Sequence, residues 1–146
     1  MRSLSAVIYR SRASSPPSDL DLFYLLAQAR VRNEALELTG LILYDRGYYF
    51  QWLEGSNLAL GKVWNSIRRD PRHGDIHCLA DQAIPVRLFG GWQLGFAHRD
   101  HQHESIVDGF SVADPALLDD LHINPHKTPN ILATFSTLGG STLATA

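Results

Sequence analysis

An aromatic run with one neutral amide in its middle restricts the fold of this chain more than any other stretch. The run is Tyr48-Tyr49-Phe50-Gln51-Trp52-Leu53-Glu54-Gly55. In a strand, Gln51 shares a face with Tyr49 and Leu53, while Phe50 and Trp52 point the other way. A buried amide with an unpaired carbonyl or NH2 group costs about 1 to 3 kcal/mol. A polar partner is therefore expected over Gln51. Another protein group is the simplest candidate, and the remaining motifs bear on whether a ligand takes that place.

The composition indicates one globular domain with an extension. The chain has 146 residues, 45% of them hydrophobic, and its 13 basic and 15 acidic residues give a net charge of -2. Without a Lys/Arg run, no direct nucleic-acid partner is expected. The apolar stretch from Leu4 to Tyr9 is too short for a signal peptide or a membrane span, so we expect a cytoplasmic protein. The single cysteine, Cys78, excludes an intramolecular disulfide, fits a reducing compartment and is predicted to be buried.

The hydrophobic pattern predicts the element order β-α-β-β-α-β-β. Strands are predicted over 4–11, 39–44, 48–55, 76–84 and 91–96, and helices over 19–33 and from 56 or 57 up to Pro71. Ser18 followed by Asp21 predicts the first helix start, and Asp45-Arg46-Gly47 predicts a hairpin turn. Two right-handed β-α-β crossings in this order predict an α+β, ferredoxin-like sheet with both helices on one face and an extra strand at the end.

The character of the chain changes after His98, which predicts a domain over 1–98 and an extension over 99–146. Short helices are predicted from Pro115 through Leu121 and over 130–138, and a disordered tail over 139–146. The face of the sheet opposite the two helices carries apolar residues that need a cover: Leu4, Ala6, Ile8, Phe50 and Trp52. We expect the extension to provide it, together with a second subunit in a homo-oligomer.

Two side-chain clusters outside the aromatic run suggest other chemistry. His98, His101 and His103 could be metal ligands, but their spacing fixes no second strong ligand group, so a solvated hinge without a metal is favoured. Arg10 and Arg12 precede a helix N-terminus and could hold an anion. A small ferredoxin-like hydrolase of the acylphosphatase type would need such a site. That enzyme is the alternative to the function given below.

Six sequence blocks together resemble one known family. They are Tyr9 with Ser11, Arg30-Val31-Arg32-Asn33, Thr39-Gly40-Leu41, Phe50-Gln51-Trp52-Leu53-Glu54-Gly55, Asp70-Pro71-Arg72-His73, and Arg87-Leu88-Phe89-Gly90-Gly91-Trp92. In this order and spacing they resemble the BLUF family, the blue-light sensors that use FAD, over about residues 3 to 97. The resemblance implies a photoreceptor that is not itself an enzyme. It also implies a flavin ring inserted edge-on between the two helices.

The resemblance implies roles for individual residues. Gln51 looks like the family's switching glutamine, Tyr9 like its electron-donating tyrosine, and Asn33 like the amide that holds the pyrimidine edge of the ring. The full set implied to contact the flavin is Tyr9, Arg30, Arg32, Asn33, Gln51, Asp70, Arg72, His73, Trp92 and Leu94. Of these, Tyr9, Gln51 and Trp92 are expected to be photoactive. No catalytic or metal-binding residue is implied.

The residue types explain how such a site would signal. An amide presents an acceptor at one end and donors at the other, so rotation or tautomerisation of Gln51 would exchange its hydrogen bonds after Tyr9 gives an electron and a proton to the excited ring. Leu94 stands where the family usually has Met, and the missing sulfur weakens the predicted signal route through the fifth strand. About fifty residues follow His98, fewer than a catalytic domain needs. Output is therefore expected through self-association or a downstream signalling protein.

Overall fold

The computed structural model describes residues 3–99 and 110–144, with side chains for 3–97, 99 and 113–136. Its elements are β1 (Leu4–Ala13), α1 (Asp19–Ala35), β2 (Thr39–Asp45), β3 (Tyr48–Ser56), α2 (Asn57–Arg69), β4 (His73–Ile84), β5 (Gly95–His98), β6 (Phe110–Val112), α3 (Pro115–Ile123) and α4 (Thr128–Ala144), with a 3-10 turn at Pro125–Lys127. The strand order is β4-β1-β3-β2-β5-β6. β1 to β4 pair antiparallel, while β5 is parallel to β2 and β6 to β5. The predicted ferredoxin-like fold is confirmed.

Local sequence signals set the start of α1 and the turn between β2 and β3. The Ser18 hydroxyl accepts a hydrogen bond from the Asp21 amide at 3.1 Å, and the Asp21 carboxylate accepts one from the Ser18 amide at 2.9 Å. In the hairpin, Arg46 and Gly47 both have positive φ, 49° and 90°. Two positive φ values fit the twist of the strands that the turn joins.

Strand alternation divides the front of the sheet into two apolar clusters. One joins α1 to the sheet and contains Leu22, Leu26, Ala29, Ile42, Tyr44, Tyr49, Leu94 and Phe96. The other joins α2 to the sheet and contains Tyr9, Leu38, Leu53, Ala59, Leu60, Val63 and Ile67. The two helices therefore rest on separate parts of the core. A gap between them opens over the middle of β1 and β3.

The back of the sheet is covered by α3 and α4, as predicted. One cluster combines the strand residues Ala6, Ile8, Phe50 and Trp52 with the helix residues Leu118, Leu121, Ile131, Leu132 and Phe135. Ion pairs reinforce this contact at the end of β2. Buried Asp45 accepts hydrogen bonds from Arg99 at 3.0 and 2.9 Å and lies 2.8 Å from His122 Nε2 on α3.

The fifth strand begins later than predicted, which changes the position of Trp92. β5 starts at Gly95 rather than Gly91 because the preceding residues turn: the Trp92 amide donates to the Phe89 carbonyl at 2.9 Å. Trp92 therefore does not alternate with Leu94 and Phe96 and packs in the cluster behind the sheet. Its ring lies against Gly95, where an added Cβ would be 2.0 Å from the indole.

Other differences concern the edges and ends of the fold. Cys78 is exposed, contrary to prediction, because it lies on the edge strand β4, which pairs on one side only. α4 is helical to Ala144, where a disordered tail from Gly139 was predicted, since extending an existing helix costs far less than starting one. β6 was not predicted because three residues are too few to show periodicity.

The interpretation of His98, His101 and His103 as a solvated hinge without a metal is not tested. His101 and His103 lie outside the described residues, and the side chain of His98 is not described. Within 3–99 and 110–144, no group of three or more His, Cys, Asp or Glu side chains is arranged to hold a metal ion. The helices in the same ranges include none that is long and apolar enough to cross a membrane.

Candidate functional site

A cavity of about 250 Å³ occupies the gap between the two front clusters. Its apolar wall consists of Leu25, Ala29, Ile42, Ile67 and Leu94. Its polar wall consists of Tyr9, Gln28, Arg32, Tyr49, Gln51, Asp70, Arg72 and His73. Seven of the ten residues predicted to contact a flavin thus meet around one cavity, although they come from five separate stretches of the chain.

Tyr9 and Gln51 form the centre of the polar wall. They are direct register partners of β1 and β3, and the Tyr9 hydroxyl donates a hydrogen bond to Gln51 Oε1. The two residues are 3% and 2% exposed. Burial raises the pKa of Tyr9 well above its usual range, although the Arg32 charge opposes this effect, so Tyr9 stays a neutral phenol. Among the described residues the Gln51 NH2 has no further partner, which leaves it for a ligand in the cavity.

Two guanidinium groups line the cavity, and they differ in how closely they are paired with acceptors. Burial lowers the pKa of Arg32, whose nitrogens reach a side-chain acceptor only at 3.4 Å, the Asn33 Oδ1, within the described part of the chain. Arg72 instead holds Asp70 with contacts of 2.9 and 2.6 Å. Burial by itself would raise the Asp70 pKa, but the Arg72 hydrogen bonds and charge keep that pKa below its usual value. A partly buried cation with only long contacts to the described side chains favours an acceptor-rich or anionic ligand.

His73 is fixed in one orientation beside the central pair. Its Nε2 lies 2.7 Å from the Ile67 carbonyl, which can only accept, so Nε2 carries a proton. In the neutral ring Nδ1 then accepts from the Ser11 hydroxyl at 2.6 Å. The imidazole lies 6.2 Å from the Tyr9 ring and 6.3 Å from the Tyr49 ring. His73 therefore links the two phenols across the cavity wall.

Tyr49 is a site residue that the motif comparison missed. It lies 4% exposed on the cavity wall, with its ring 5.1 Å from that of Tyr44. Burial, together with the neighbouring Tyr44, raises its pKa to about 12. The available signal was strand alternation, which places Tyr49 on the face of Gln51. The other unpredicted residues are mostly apolar and could not be distinguished from the core: Leu25, Gln28, Ala29, Ile42 and Ile67.

Three predicted site residues do not line the cavity: Arg30, Asn33 and Trp92. Asn33 is fully buried, and its NH2 donates to the Gln93 carbonyl at 2.6 Å. Arg30 Nε donates to the Leu94 carbonyl at 2.9 Å. Sequence blocks identify a residue but not which way its side chain points. Asn33 and Arg30 therefore hold the segment that brings Leu94 to the cavity, and Trp92 lies behind the sheet.

Glu54 ties the strand of Gln51 to the same segment from behind. Its carboxylate is fully buried and accepts four hydrogen bonds, from Trp52 Nε1 at 3.1 Å, the Thr39 hydroxyl at 2.7 Å, and the amides of Leu88 and Phe89 at 2.9 and 2.8 Å. All lone pairs of the carboxylate are thus used. The chain before β5 is fixed relative to β3, three residues from Gln51.

The anion site required by the hydrolase alternative is not formed. Arg10 and Arg12 lie within β1, which continues to Ala13, so neither stands at the start of α1. The Arg10 guanidinium instead lies over the Tyr48 ring, 5.3 Å from its centre. A strand places the two side chains along the sheet rather than around one ligand.

Comparison with known proteins agrees with the geometry. The family model for sensors of blue-light using FAD, named BLUF, matches residues 4–95. The chain belongs to the BLUF family. FAD is the cofactor of BLUF domains, and blue-light sensing is their function.

Individual BLUF relatives differ greatly in length. The photoactivated adenylate cyclase subunit beta of Euglena longa is 40% identical over 92 residues, which are 62% of this chain and 11% of that protein. The blue light- and temperature-regulated antirepressor BluF of Escherichia coli (strain K12) is 30% identical over 106 residues, 71% of this chain and 26% of that protein. The dark-state structure of the BLUF protein BlrB superposes with a TM-score of 0.75 at 26% identity, covering 97% of this chain and 98% of that one.

The cavity suits the BLUF cofactor. A flavin ring has two apolar faces and a polar edge rich in carbonyl and nitrogen acceptors, and the cavity has an apolar wall beside the Gln51 NH2. The partly buried Arg32 charge has side-chain acceptors only at 3.4 Å within the described residues, and Arg72 lines the same cavity, so both suit the carbonyl and phosphate oxygens of such a ligand.

Proposed function

We propose that this BLUF chain converts blue-light absorption into a rearrangement of the hydrogen bonds of Gln51 and passes that change to another protein. The observation that carries the proposal is the bond from the Tyr9 hydroxyl to Gln51 Oε1 at the wall of the cavity, with the Gln51 NH2 left for the ligand. Bound FAD supplies the absorption of blue light and an acceptor for one electron.

Tyr9 is the proposed electron and proton donor. It is a neutral, buried phenol whose proton already points to the Gln51 carbonyl oxygen. A phenol that loses an electron becomes a much stronger acid. The existing hydrogen bond then gives its proton an immediate acceptor, so no positive charge is left on the buried phenol.

Gln51 is the proposed switch. Its side chain has no covalent tie and no second protein partner among the described residues, so its two ends can exchange places. Each neutral hydrogen bond contributes about 0.5 to 1.5 kcal/mol net, so two arrangements of one amide can be close in free energy. Light then populates the less stable arrangement, and thermal relaxation restores the other.

Other site residues hold the cofactor and the surrounding segment. Arg32, Arg72, Asp70 and His73 line the cavity and are proposed to bind the polar parts of FAD. Asn33 donates a hydrogen bond to the Gln93 carbonyl, and Arg30 donates one to the Leu94 carbonyl. A ligand that competes for the Asn33 amide would therefore also alter the start of β5. Leu94 on the cavity wall gives that segment its contact with the ligand.

We propose that output is non-enzymatic and passes through a partner. Domain 1–98 would be the sensor and the extension 99–146 the part that responds. The described residues contain no cyclase domain, whereas the cyclase subunit and the antirepressor among the relatives are much longer proteins. The proposed partners are a second copy of this chain and a downstream signalling protein, met in the cytoplasm.

Absorption spectroscopy tests the proposal. The full chain purified with FAD is expected to be yellow, to show a red-shifted flavin band after blue light and to recover in the dark. A chain that binds FAD but shows no reversible shift would reject the proposed photocycle. A chain that binds no flavin under any reconstitution conditions would reject the proposed site.

A further inference from the structure

Trp64 is the tryptophan that contacts the buried phenol of Tyr9. Its ring centre on α2 lies 5.5 Å from that of Tyr9, and the planes cross at 71°, an edge-to-face contact. The chain has three tryptophans. The other two, Trp52 and Trp92, are 3% and 5% exposed and pack in the cluster behind the sheet. Any electron exchange between Tyr9 and an adjacent tryptophan therefore involves Trp64.

Trp64 also reaches the surface. Its side chain is partly exposed and lines a groove of about 510 Å³ between α2 and strands β1 and β4. Val7 and Leu60 form the apolar part of this groove, and Asp81 lies at its rim on the edge strand. The Trp64 indole thus contacts Tyr9 at the cavity wall and also lines the outer groove.

We propose that Trp64 exchanges an electron with Tyr9 and connects the cavity to electron donors in solution. The place of this exchange in the photocycle rests on the proposed role of Tyr9. After Tyr9 has lost one electron to the flavin and its proton along the bond to Gln51, Trp64 gives Tyr9 one electron and the same proton returns to Tyr9 along that bond. The oxidised indole then loses its Nε1 proton to water in the groove. A thiol in solution can finally return an electron and a proton to Trp64.

The exchange between the two rings can run in either direction. A thiol that reduces oxidised Trp64 draws an electron from Trp64 to oxidised Tyr9, whereas a Trp64 radical formed in the dark takes an electron from Tyr9. In both cases the indole can exchange its proton with solvent in the groove, and the Tyr9 proton can move along its bond to Gln51. The His73 ring lies 6.2 Å from the Tyr9 ring and 6.3 Å from the ring of Tyr49, the other phenol on the cavity wall. Both His73 nitrogens are already hydrogen-bonded, which leaves no free site for a proton from either phenol.

Pulse radiolysis in the dark tests the exchange without any photochemistry. Azide radicals oxidise accessible tryptophan, so in the full FAD-bound chain they should form the Trp64 radical first. We expect its absorption to decay as the tyrosyl absorption rises, with a first-order rate that does not depend on protein concentration. Trp64→Phe should lose the early tryptophan signal, Tyr9→Phe should lose the conversion, and Trp92→Phe should retain both. Trp64→Tyr, which keeps an oxidisable ring, provides a check on packing.

Two results would overturn the exchange. One is a wild-type tryptophan radical that decays only by second-order reaction between molecules. The other is a conversion that persists in Tyr9→Phe, which would assign it to another tyrosine.

A second measurement tests the path to solution. Under continuous blue light with an added thiol, FAD bleaching should be several-fold slower in Trp64→Phe than in wild type and should be restored towards wild type in Trp64→Tyr. The exposed Cys78 is replaced in all samples by Cys78→Ser, so that the protein's own thiol does not contribute. Equal bleaching rates in Trp64→Phe and wild type would reject the path. If the reversible red shift is absent but the dark conversion is intact, only the proposed photocycle is rejected. If the red shift is present but the dark conversion is absent, only the exchange is rejected.

Discussion

Tyr9 and Gln51 face each other as register partners on adjacent antiparallel strands, and the phenol donates its hydrogen bond to the amide oxygen. This pairing fixes the orientation of the amide, since Oε1 is used by Tyr9 and the NH2 is directed to other partners. Neither strand alone defines the site. The switch depends on the β1–β3 register, and a shift by one residue would place Phe50 or Trp52 opposite Tyr9.

Replacing the amide should separate cofactor binding from switching. In Gln51→Leu the apolar wall and the two arginines remain, so FAD is expected to bind, while the exchangeable hydrogen bonds are lost. The light-induced red shift should disappear completely. Absorption spectra before and after blue light measure it, with the exposed Gln82→Leu as a matched control that keeps the full shift. A full reversible shift in Gln51→Leu would show that another residue is the switch.

Removing the Tyr9 hydroxyl should stop the normal photocycle without unfolding the protein. Tyr9→Phe keeps a packed ring but leaves the buried Gln51 Oε1 without its donor, so we expect a loss of about 1 to 3 kcal/mol in the free energy of unfolding. The yellow colour should remain. Flash spectroscopy should show no ordinary red-shifted state, and urea unfolding checks the stability. A wild-type yield of that state would contradict the role of Tyr9 as donor. Tyr24→Phe on the exposed face of α1 is the control.

The sequence predicted the parts of the fold that depend on periodicity. Alternation along the aromatic run placed Phe50 and Trp52 behind the sheet and Gln51 in front, and the Ser18 cap located the start of α1. The cover over the back of the sheet also followed from its apolar residues. These predictions succeed because burial acts on every second or every third to fourth residue of a regular element.

The sequence could not predict features that depend on where regular structure ends. The predicted strand included Trp92 and therefore placed its side chain on the same face as that of Leu94. In the structure the chain turns at Phe89, and the strand begins only at Gly95. Side-chain direction at the end of α1 was equally hidden, because Asn33 can bond to a neighbouring carbonyl or face the cavity without any change in sequence. The role of Glu54 appears only when β2 and the segment before β5 come together around it.

Glu54 should be a major determinant of stability. In Glu54→Ala the indole of Trp52, the Thr39 hydroxyl and two backbone amides lose their acceptor at once. Each unpaired buried donor costs about 1 to 3 kcal/mol, so we expect a loss of about 3 kcal/mol or more in the free energy of unfolding, measured in urea. Glu34→Ala, at an exposed position of α1, should change it by less than about 0.5 kcal/mol. If Glu54→Ala lowers the free energy of unfolding by less than about 1 kcal/mol, the hydrogen bonds of the Glu54 carboxylate do not contribute as proposed.

Asp45 should make the attachment of the extension sensitive to acid. Burial would raise its pKa, but hydrogen bonds and charge from Arg99 and His122 keep the pKa below the usual value. A carboxylate with a lowered folded-state pKa stabilises the fold above its unfolded pKa of about 3.9, and this contribution is lost as the pH falls through the folded value.

Urea unfolding measures this contribution at two pH values: neutral pH, and about pH 3, which lies below the unfolded pKa of aspartate. Asp45→Asn should be less stable than wild type at neutral pH and should lose less stability on acidification. The control Asp81→Asn, on the exposed edge strand, should follow wild type. If Asp45→Asn loses as much free energy of unfolding on acidification as wild type does, the ion pairs at the end of β2 do not contribute to stability.

Removing the extension should expose the back of the sheet and leave the flavin site intact. A chain ending after Arg99 keeps every residue of the cavity wall but lacks Leu118, Leu121, Ile131, Leu132 and Phe135, which cover Phe50 and Trp52. An exposed apolar patch of this kind favours association. We therefore expect retained FAD binding, a lower melting temperature, stronger acrylamide quenching of tryptophan fluorescence and aggregation in size-exclusion chromatography. The Ile123→Ala variant of the full chain, which changes an exposed residue of α3, is the control. A truncated chain that stays monodisperse and as stable as the full chain, with its tryptophans equally protected from the quencher, would show that α3 and α4 do not serve as the cover.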